Sequence, residues 1–320
     1  GLQAPLPVEF GEVVIRQLVV RGTGRPDELS PARFTFNGRW DERLVVEYLN
    51  LEGTNYHFRL IGATELAFPY HHDLNAQIGL PKHLAEQLGW AGPNLDLIAV
   101  GDAELTELRI HQPEGHLDLS GQISHWLTQP GWSAKGSVTD MSIDLDPDAS
   151  DPLLIRTLQL EAWGTERDFS TTVSGQAGQD LVGDFSWHFS GDGDRSGFQL
   201  RDGRLDARCL EATFTAETLW TGGVSARISA RTNRFEPTCW IEEWPKDHPL
   251  NGDLKITWHE DALEVTAFDM QIAGSNARLA GGGRWLPGQT FEDIRLEWND
   301  LSWPLVAEPR LESSSGLVQL

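Results

Sequence analysis

The sequence predicts an all-β protein, an elongated curved array of antiparallel strands whose apolar face is left open as a groove. Three observations point there. Apolar and polar residues alternate with a period of two along most of the chain, turn residues recur about every ten positions, and similar strand–turn units return along the sequence. Alternation of this kind belongs to strands with one buried and one wet face, and the short spacing suits meanders and hairpins rather than α/β winding.

The first clear pair of strands follows Ala32. Phe34, Phe36, Trp40, Leu44, Val46 and Tyr48 share one parity, while Arg33, Thr35, Arg39, Arg43 and Glu47 take the other. With a turn near Asp41, successive side chains point to opposite faces and the aromatics gather on one side. Tyr56, Phe58 and Leu60 continue the pattern. One short helix interrupts it over 81–89: in PKHLAEQLG, Pro81 stands in the first turn, Leu84 and Leu88 are four apart, and Gly89 occupies the C′ position. Further strands follow with Phe185, Trp187 and Phe189, with Leu205, Ala207 and Cys209, with Val224, Ala226, Ile228 and Ala230, and with Ile294, Leu296 and Trp298. Turn signals separate them at Gly22 to Pro26, Gly53 to Asn55, Gly191 to Gly197, Gly222 and Gly223, and Gly281 to Gly283.

Internal similarity is visible by eye. Ala32 to Trp40 reads ARFTFNGRW and Ala277 to Trp285 reads ARLAGGGRW, while LDLSGQISHW from Leu117 to Trp126 has the same layout of alternating apolars, a glycine and a closing tryptophan. Such units stack into quasi-one-dimensional arrays, so residues 1–320 read as one repetitive segment. Beginning with Gly1 and ending in the strand-like GLVQL, it reads as a piece of a longer chain, with any signal or anchor lying outside it.

Composition excludes several classes. No run of about 18 apolar residues offers a membrane span. The balance of 25 basic against 48 acidic residues gives a net charge of −23, which repels a phosphate backbone and excludes nucleic acid as a partner. The acids are interleaved with apolar residues, as on a solvated outer face. Cys209 and Cys239 lack the paired spacing of a zinc site, and sequence leaves open whether they form one disulfide or two buried thiols.

Sites of chemistry are few. Tyr70, His71, His72 and Asp73 place two histidines beside a carboxylate, but neighbouring strand residues point to opposite faces, so both rings do not readily reach one ion. Asp144, Asp146, Asp148 and Asp151 have the spacing of a calcium loop, yet Ala149 stands where the loop glycine belongs and Ile155 where the bidentate glutamate would be. Asp192 and Asp194 in SGDGDRSG read as a hairpin turn. No nucleophile elbow, phosphate loop, dinucleotide fingerprint or zincin helix occurs, so neither an enzyme, a metal nor a cofactor is expected. The 13 tryptophans keep a carbohydrate-active β-sandwich in play as an alternative.

The opening LPVEFGEVVIRQLVVRG, then ARFTFNGRW, LVVEYLNLEG and NYHFRLIGATELAFPYHHDLNAQI, resembles the N-terminal part of the TamB family within the AsmA-like superfamily. LDLSGQISHWLTQPGWSAKGSVTDMSIDLDP and LAGGGRWLPGQTFEDIRLEWNDLSWPL are similar to that family's recurring unit. The resemblance implies a β-taco or half-pipe in the Gram-negative periplasm that bridges inner and outer membranes and conducts phospholipid. It also implies an inner-membrane anchor and a BamA-like outer-membrane partner, both met through regions outside this segment. On that reading the groove is lined by Phe34, Phe36, Leu44, Val46, Tyr48, Tyr56, Phe58, Leu60, Phe185, Trp187, Phe189, Ile228, Leu296 and Trp298. The alternative from another class is a scaffold or chaperone that offers open strand edges to outer-membrane proteins during assembly.

Overall fold

Alternation turns into hairpins. A computed structural model describes residues 7–18, 32–53, 56–81, 85–86, 90, 92–113, 115–143, 152–179, 183–221, 223–239, 241, 244–245, 247–259, 262–285, 291–303 and 311–319. The chain divides into two units, Gly1–Glu166 and Arg167–Leu320. The first holds β1 (Val8–Leu18), β2 (Ala32–Trp40), β3 (Arg43–Glu52), β4 (His57–Glu65), β5 (His72–Gly79), β6 (Asn94–Gly101), β7 (Leu105–His111), β8 (Leu117–Ser124), β9 (Gly131–Ile143) and β10 (Leu153–Thr165). The second holds β11 (Asp168–Gln179), β12 (Gly183–Asp194), β13 (Gly197–Ala207), β14 (Leu210–Leu219), β15 (Ser225–Phe235), β16 (Leu250–His259), β17 (Ala262–Ile272), β18 (Arg278–Trp285), β19 (Phe291–Trp303) and β20 (Leu311–Gln319). In each unit every strand pairs antiparallel with the next in sequence, and the sheet is unclosed. The expected all-β class and open antiparallel array are borne out. Of the expected helix, Ala85 and Glu86 are helical, with Ala85 N–H donating to Pro81 O at 3.2 Å; residues 82–84 and 87–89 lie outside the described set. The Asp144 to Asp151 stretch and the Gly22 to Pro26 turn also lie outside it. No helix among the described residues is long and apolar enough to cross a membrane.

Opposite partners in a ladder share a face, so the registers assign every side chain. In the first unit one row runs Val13, Phe36, Leu49, Leu60, Ala76, Leu97, Ile110, Leu119, Gly136, Leu160 from β1 to β10. The adjacent row on the other face runs Thr35, Asn50, Arg59, Gln77, Asp96, His111, Asp118, Ser137, Gln159. The second unit repeats the division. Val173, Phe189, Gly203, Phe214, Ala230, Leu254, Phe268, Gly281, Leu296 and Val318 form one row. Ser174, His188, Arg204, Thr213, Arg231, Asp253 and Asp269 form a row of the other face.

Bulges keep most apolar side chains on one face. The apolar run changes parity between Phe10 and Val13, between Val46 and Leu49, between Leu200 and Gly203, and between Val265 and Phe268, and a register shift stands at each. An extra residue on one strand returns the next apolar side chain to its own face. Asp140 in β9 and Asp300 in β19 mark two more parity changes, from Val138 to Met141 and from Trp298 to Leu301, with φ of 50° and 48° in place of a register shift. Beside Asp140 the covered residue of β10 is Ile155 at 6% exposure, while Leu154 stands at 53%.

One hairpin turn in each unit shares a construction. Asp102 Oδ1 accepts the N–H groups of Glu104 and Leu105 at 2.8 and 3.0 Å, and Asp194 Oδ1 accepts those of Ser196 and Gly197 at 2.6 and 3.1 Å. Trp126 then donates its indole N–H to Asp102 O at 3.1 Å, and Trp220 donates to Arg195 O at 2.8 Å, each tying one hairpin turn to the next. Hydrogen-bond donors hold both carboxyls below the usual range: for Asp102 the Leu105 N–H contributes most, and for Asp194 the Ser196 hydroxyl, which also donates to Oδ1, does.

Charges order the polar face. Arg231 meets Asp253 through Nε and Nη2 at 2.8 and 3.2 Å, Arg278 meets Asp269, and Arg43 meets Glu65 at 2.8 Å, each across neighbouring strands. Hydrogen bonds from the guanidinium groups are the main cause that lowers the carboxyls of Asp253 and Asp269 and raises the two arginines. Cys209, in the turn between β13 and β14, is disulfide-bonded to Cys239 in the 3₁₀ turn Pro237–Cys239 that follows β15, closing a separation of 30 residues. Glu236 N–H donates to Cys209 O at 2.8 Å beside it.

Two outcomes follow. Replacing both cysteines, Cys209→Ser with Cys239→Ser, frees a 30-residue loop in the unfolded chain and lowers stability by about 3.5 kcal/mol on the chain-entropy account. Urea denaturation with and without reductant reads this, and an unchanged midpoint would show that other contacts close the loop. For the ion pairs, the folded carboxyls lie below their unfolded range of about 4, so their contribution is present above that value and is lost as pH falls through the folded one. The pairs are exposed and the effect is small. Between about pH 6 and about pH 3, wild type therefore loses slightly more stability than the variant Asp253→Asn with Asp269→Asn. Equal losses would leave the pairs without a stabilising role.

Candidate functional site

A sheet that carries apolar side chains on one whole face ordinarily buries them against a second layer. Here, among the described residues, neither unit does so with its own strands. Among the described residues no Phe, Tyr or Trp is buried, and Val46, Ile155, Leu200 and Ile272 are the largest aliphatic side chains that are. The apolar residues are half-covered by their lateral neighbours instead.

Aromatic rings do much of that covering. The ring of Trp187 lies over Gly175 on the neighbouring strand, Phe214 over Gly203, and Trp298 over Gly316, each in the space that a Cβ at the glycine would fill. Rings laid over glycines flatten against the sheet and present a smooth apolar surface rather than a row of knobs. Phe10 and Phe36 meet edge-on at 5.7 Å between centroids, and Phe169 and Phe198 stack at 6.0 Å. Gly62 is required for a different reason. It has φ +141° opposite Val46 and Leu74, and a Cβ there would run into the Asp73 carbonyl.

The predicted groove residues fall out as follows. In the first unit Phe34 pairs with Leu51, Phe36 with Leu49, Leu44 with Trp40, Val46 with Gly38, Phe58 with Leu51 and Leu60 with Leu49, all on one face. Tyr48 does not join them. Glu47 is the extra residue of a bulge, so Tyr48 pairs with Asn37 on the polar face beside Asn50. Tyr56 precedes β4, outside the ladder, where its carbonyl accepts Gly53 N–H at 2.9 Å. In the second unit Phe185, Trp187, Phe189, Ile228, Leu296 and Trp298 all lie on the apolar face, opposite Ala207, Leu205, Gly203, Ile256, Gly281 and Leu279. Arg59 and Arg227 lie on the polar faces, opposite Gln77 and Thr257.

The two neighbouring histidines do not converge. His71 Nδ1 approaches Asp102 Oδ2 at 3.4 Å, whereas His72 holds Tyr70 O at 3.0 Å and Thr106 Oγ1 at 3.2 Å, so the two rings have separate partners. No group of three or more His, Cys, Asp or Glu that could hold a metal occurs among the described residues. Two depressions, of 670 and 660 Å³, open on the polar faces and not on the apolar ones. Lys135 and Glu161, paired at 2.5 Å, line the first, and the pair Arg295 and Glu297 lines the second.

Sequence reasoning missed the turn-to-turn tryptophans. The signal for them is a short Asp turn, DAEL or DRSG, followed by a tryptophan 24 or 26 positions after the aspartate, at Trp126 or Trp220.

No curated protein and no solved structure matches the chain. Residues 2–281, most of the chain, match the family of the TamB N-terminal domain, and the chain belongs to that family.

Proposed function

We propose that this chain is a periplasmic segment of a bridge-like lipid transfer protein, and that its apolar faces conduct phospholipid between the inner and outer membranes. One observation carries the reading: in each unit strand after strand turns most of its apolar residues to the same face, and among the described residues the unit's own strands lay no second layer on that face. An acyl chain laid there gains about 0.8 kcal/mol per CH₂ taken from water, while its headgroup stays solvated. Rings flattened over glycines make this face smooth, which suits cargo that must move on. The role needs no catalytic residue and no cofactor. Membership of the TamB family supports a place in a bridge anchored to the inner membrane, with a BamA-like partner at the outer membrane reached through other parts of the protein. The Cys209–Cys239 disulfide suits an oxidising compartment such as the periplasm.

Protein purified without detergent should carry phospholipid, read by mass spectrometry of an organic extract. Phe58→Arg and Ile228→Glu place a charge on the apolar face at a cost of several kcal/mol where it is desolvated. An open face lets that charge reach water, so folding survives while crosslinking of lipid from neighbouring positions is lost. Arg59→Gln and Arg227→Gln, on the opposite faces, should leave lipid capture unchanged. Lipid captured equally from both faces, or undiminished by the charged variants, would remove the apolar face from the mechanism.

A further inference from the structure

Three hairpin turns at one end of the first unit form a built aromatic tip. They connect β4 to β5, β6 to β7 and β8 to β9, and backbone bonds lace them in series: Ala103 N–H donates to Pro69 O at 2.8 Å, and His125 N–H donates to Glu104 O at 2.9 Å. Trp126 is fixed by its indole bond to Asp102 O, and its ring meets Tyr70 at 6.4 Å, which meets Phe68 at 6.3 Å. Tyr70 and His125 hold φ of 64° and 50°, a conformation unusual for side chains of this size. Residues held this way persist where the surroundings fix them, and they gather at functional places.

What this rigid frame presents is apolar. Phe68 is 65% exposed, Leu127 51% and Trp126 41%. The order of polarity is graded: Phe68 and Leu127 are the most exposed, and the amphipathic rings of Tyr70 and Trp126 pack behind Phe68 with the Trp126 polar edge turned to the protein. No lysine or arginine occurs in the three turns, and the nearby carboxylates Asp102 and Glu104 face His71 at 3.4 Å and His125 at 3.2 Å. A protruding apolar tip backed by Trp and Tyr matches the gradient across a bilayer interface, where such rings sit at headgroup level. Without cations it has no attraction for anionic lipid, and the net charge of −23 opposes it.

We propose that this tip is a bilayer contact, which inserts Phe68 and Leu127 into the interface of a zwitterionic membrane by apolar burial alone. It goes beyond conduction along the sheet, because it concerns a surface outside the apolar face.

The test is flotation of the whole chain with vesicles of phosphatidylcholine and phosphatidylethanolamine. Wild type should float, and raising the salt should leave the bound fraction unchanged. Phe68→Ser with Leu127→Ser should lower binding about a hundredfold or more, the loss expected from removing two apolar side chains from the bilayer. Leu154→Ser, equally exposed elsewhere in the unit, should float like wild type. Circular dichroism confirms that each variant keeps its strands. A wild type that stays unbound, a double variant that floats as well as wild type, or binding confined to phosphatidylglycerol vesicles would overturn the proposal. Phospholipid extracted from detergent-free protein is read separately: its presence in the double variant leaves the conducting face standing whatever flotation gives, and its absence from wild type removes that face without touching the tip.

Discussion

The side-chain period of a strand is two, and a sheet with one wet and one apolar face tolerates no phase error. A one-residue slip would turn an entire apolar run into water. The chain nevertheless slips repeatedly, at Phe10 to Val13, Val46 to Leu49, Leu200 to Gly203 and Val265 to Phe268, and each slip is met by a bulge. Fidelity of face is thus the constraint from which the rest follows: the register, the positions of irregular backbone, the sorting of charge to the other side, and an apolar surface left half-covered.

That constraint also explains which parts of the molecule were legible in advance. Periodicity and turn chemistry are local, so the all-β class and the strands holding Phe34, Phe58, Phe185 and Ile228 could be read directly. Counting by twos fails across a bulge, because the extra residue is identified by what lies opposite it on another strand. Tyr48 is the case in point: it shares parity with Val46 in sequence and lies on the other face in the ladder, since Glu47 stands between them unpaired. The disulfide was equally out of reach, for it depends on two turns that meet only after β14 and β15 have paired. The turn tryptophans repeat the lesson, with donor and acceptor about two dozen residues apart.

Among the described residues neither unit's own strands form a second layer, so within each unit the cohesion described comes from the sheet itself. Backbone ladders, rings seated over glycines on the adjacent strand and cross-strand ion pairs all act between neighbours. Individually the exposed pairs are weak. Their value lies in orientation, since Arg231 to Asp253 and Arg278 to Asp269 fix register on the wet side while Phe214 over Gly203 fixes it on the apolar side. A structure held this way can leave one face half-covered without losing its order.

The paired turns carry a consequence for length. Asp102 with Trp126 and Asp194 with Trp220 are the same device, placed once in each unit, and each spans two hairpins that start and finish at the same end of the strands. A meander can therefore gain or lose strands two at a time without moving its exit point, and each such step changes the sheet by about 9.6 Å, twice the strand spacing. Duplicating a hairpin with its turn tryptophan would thus lengthen the sheet in fixed steps and keep both of its ends on the same side.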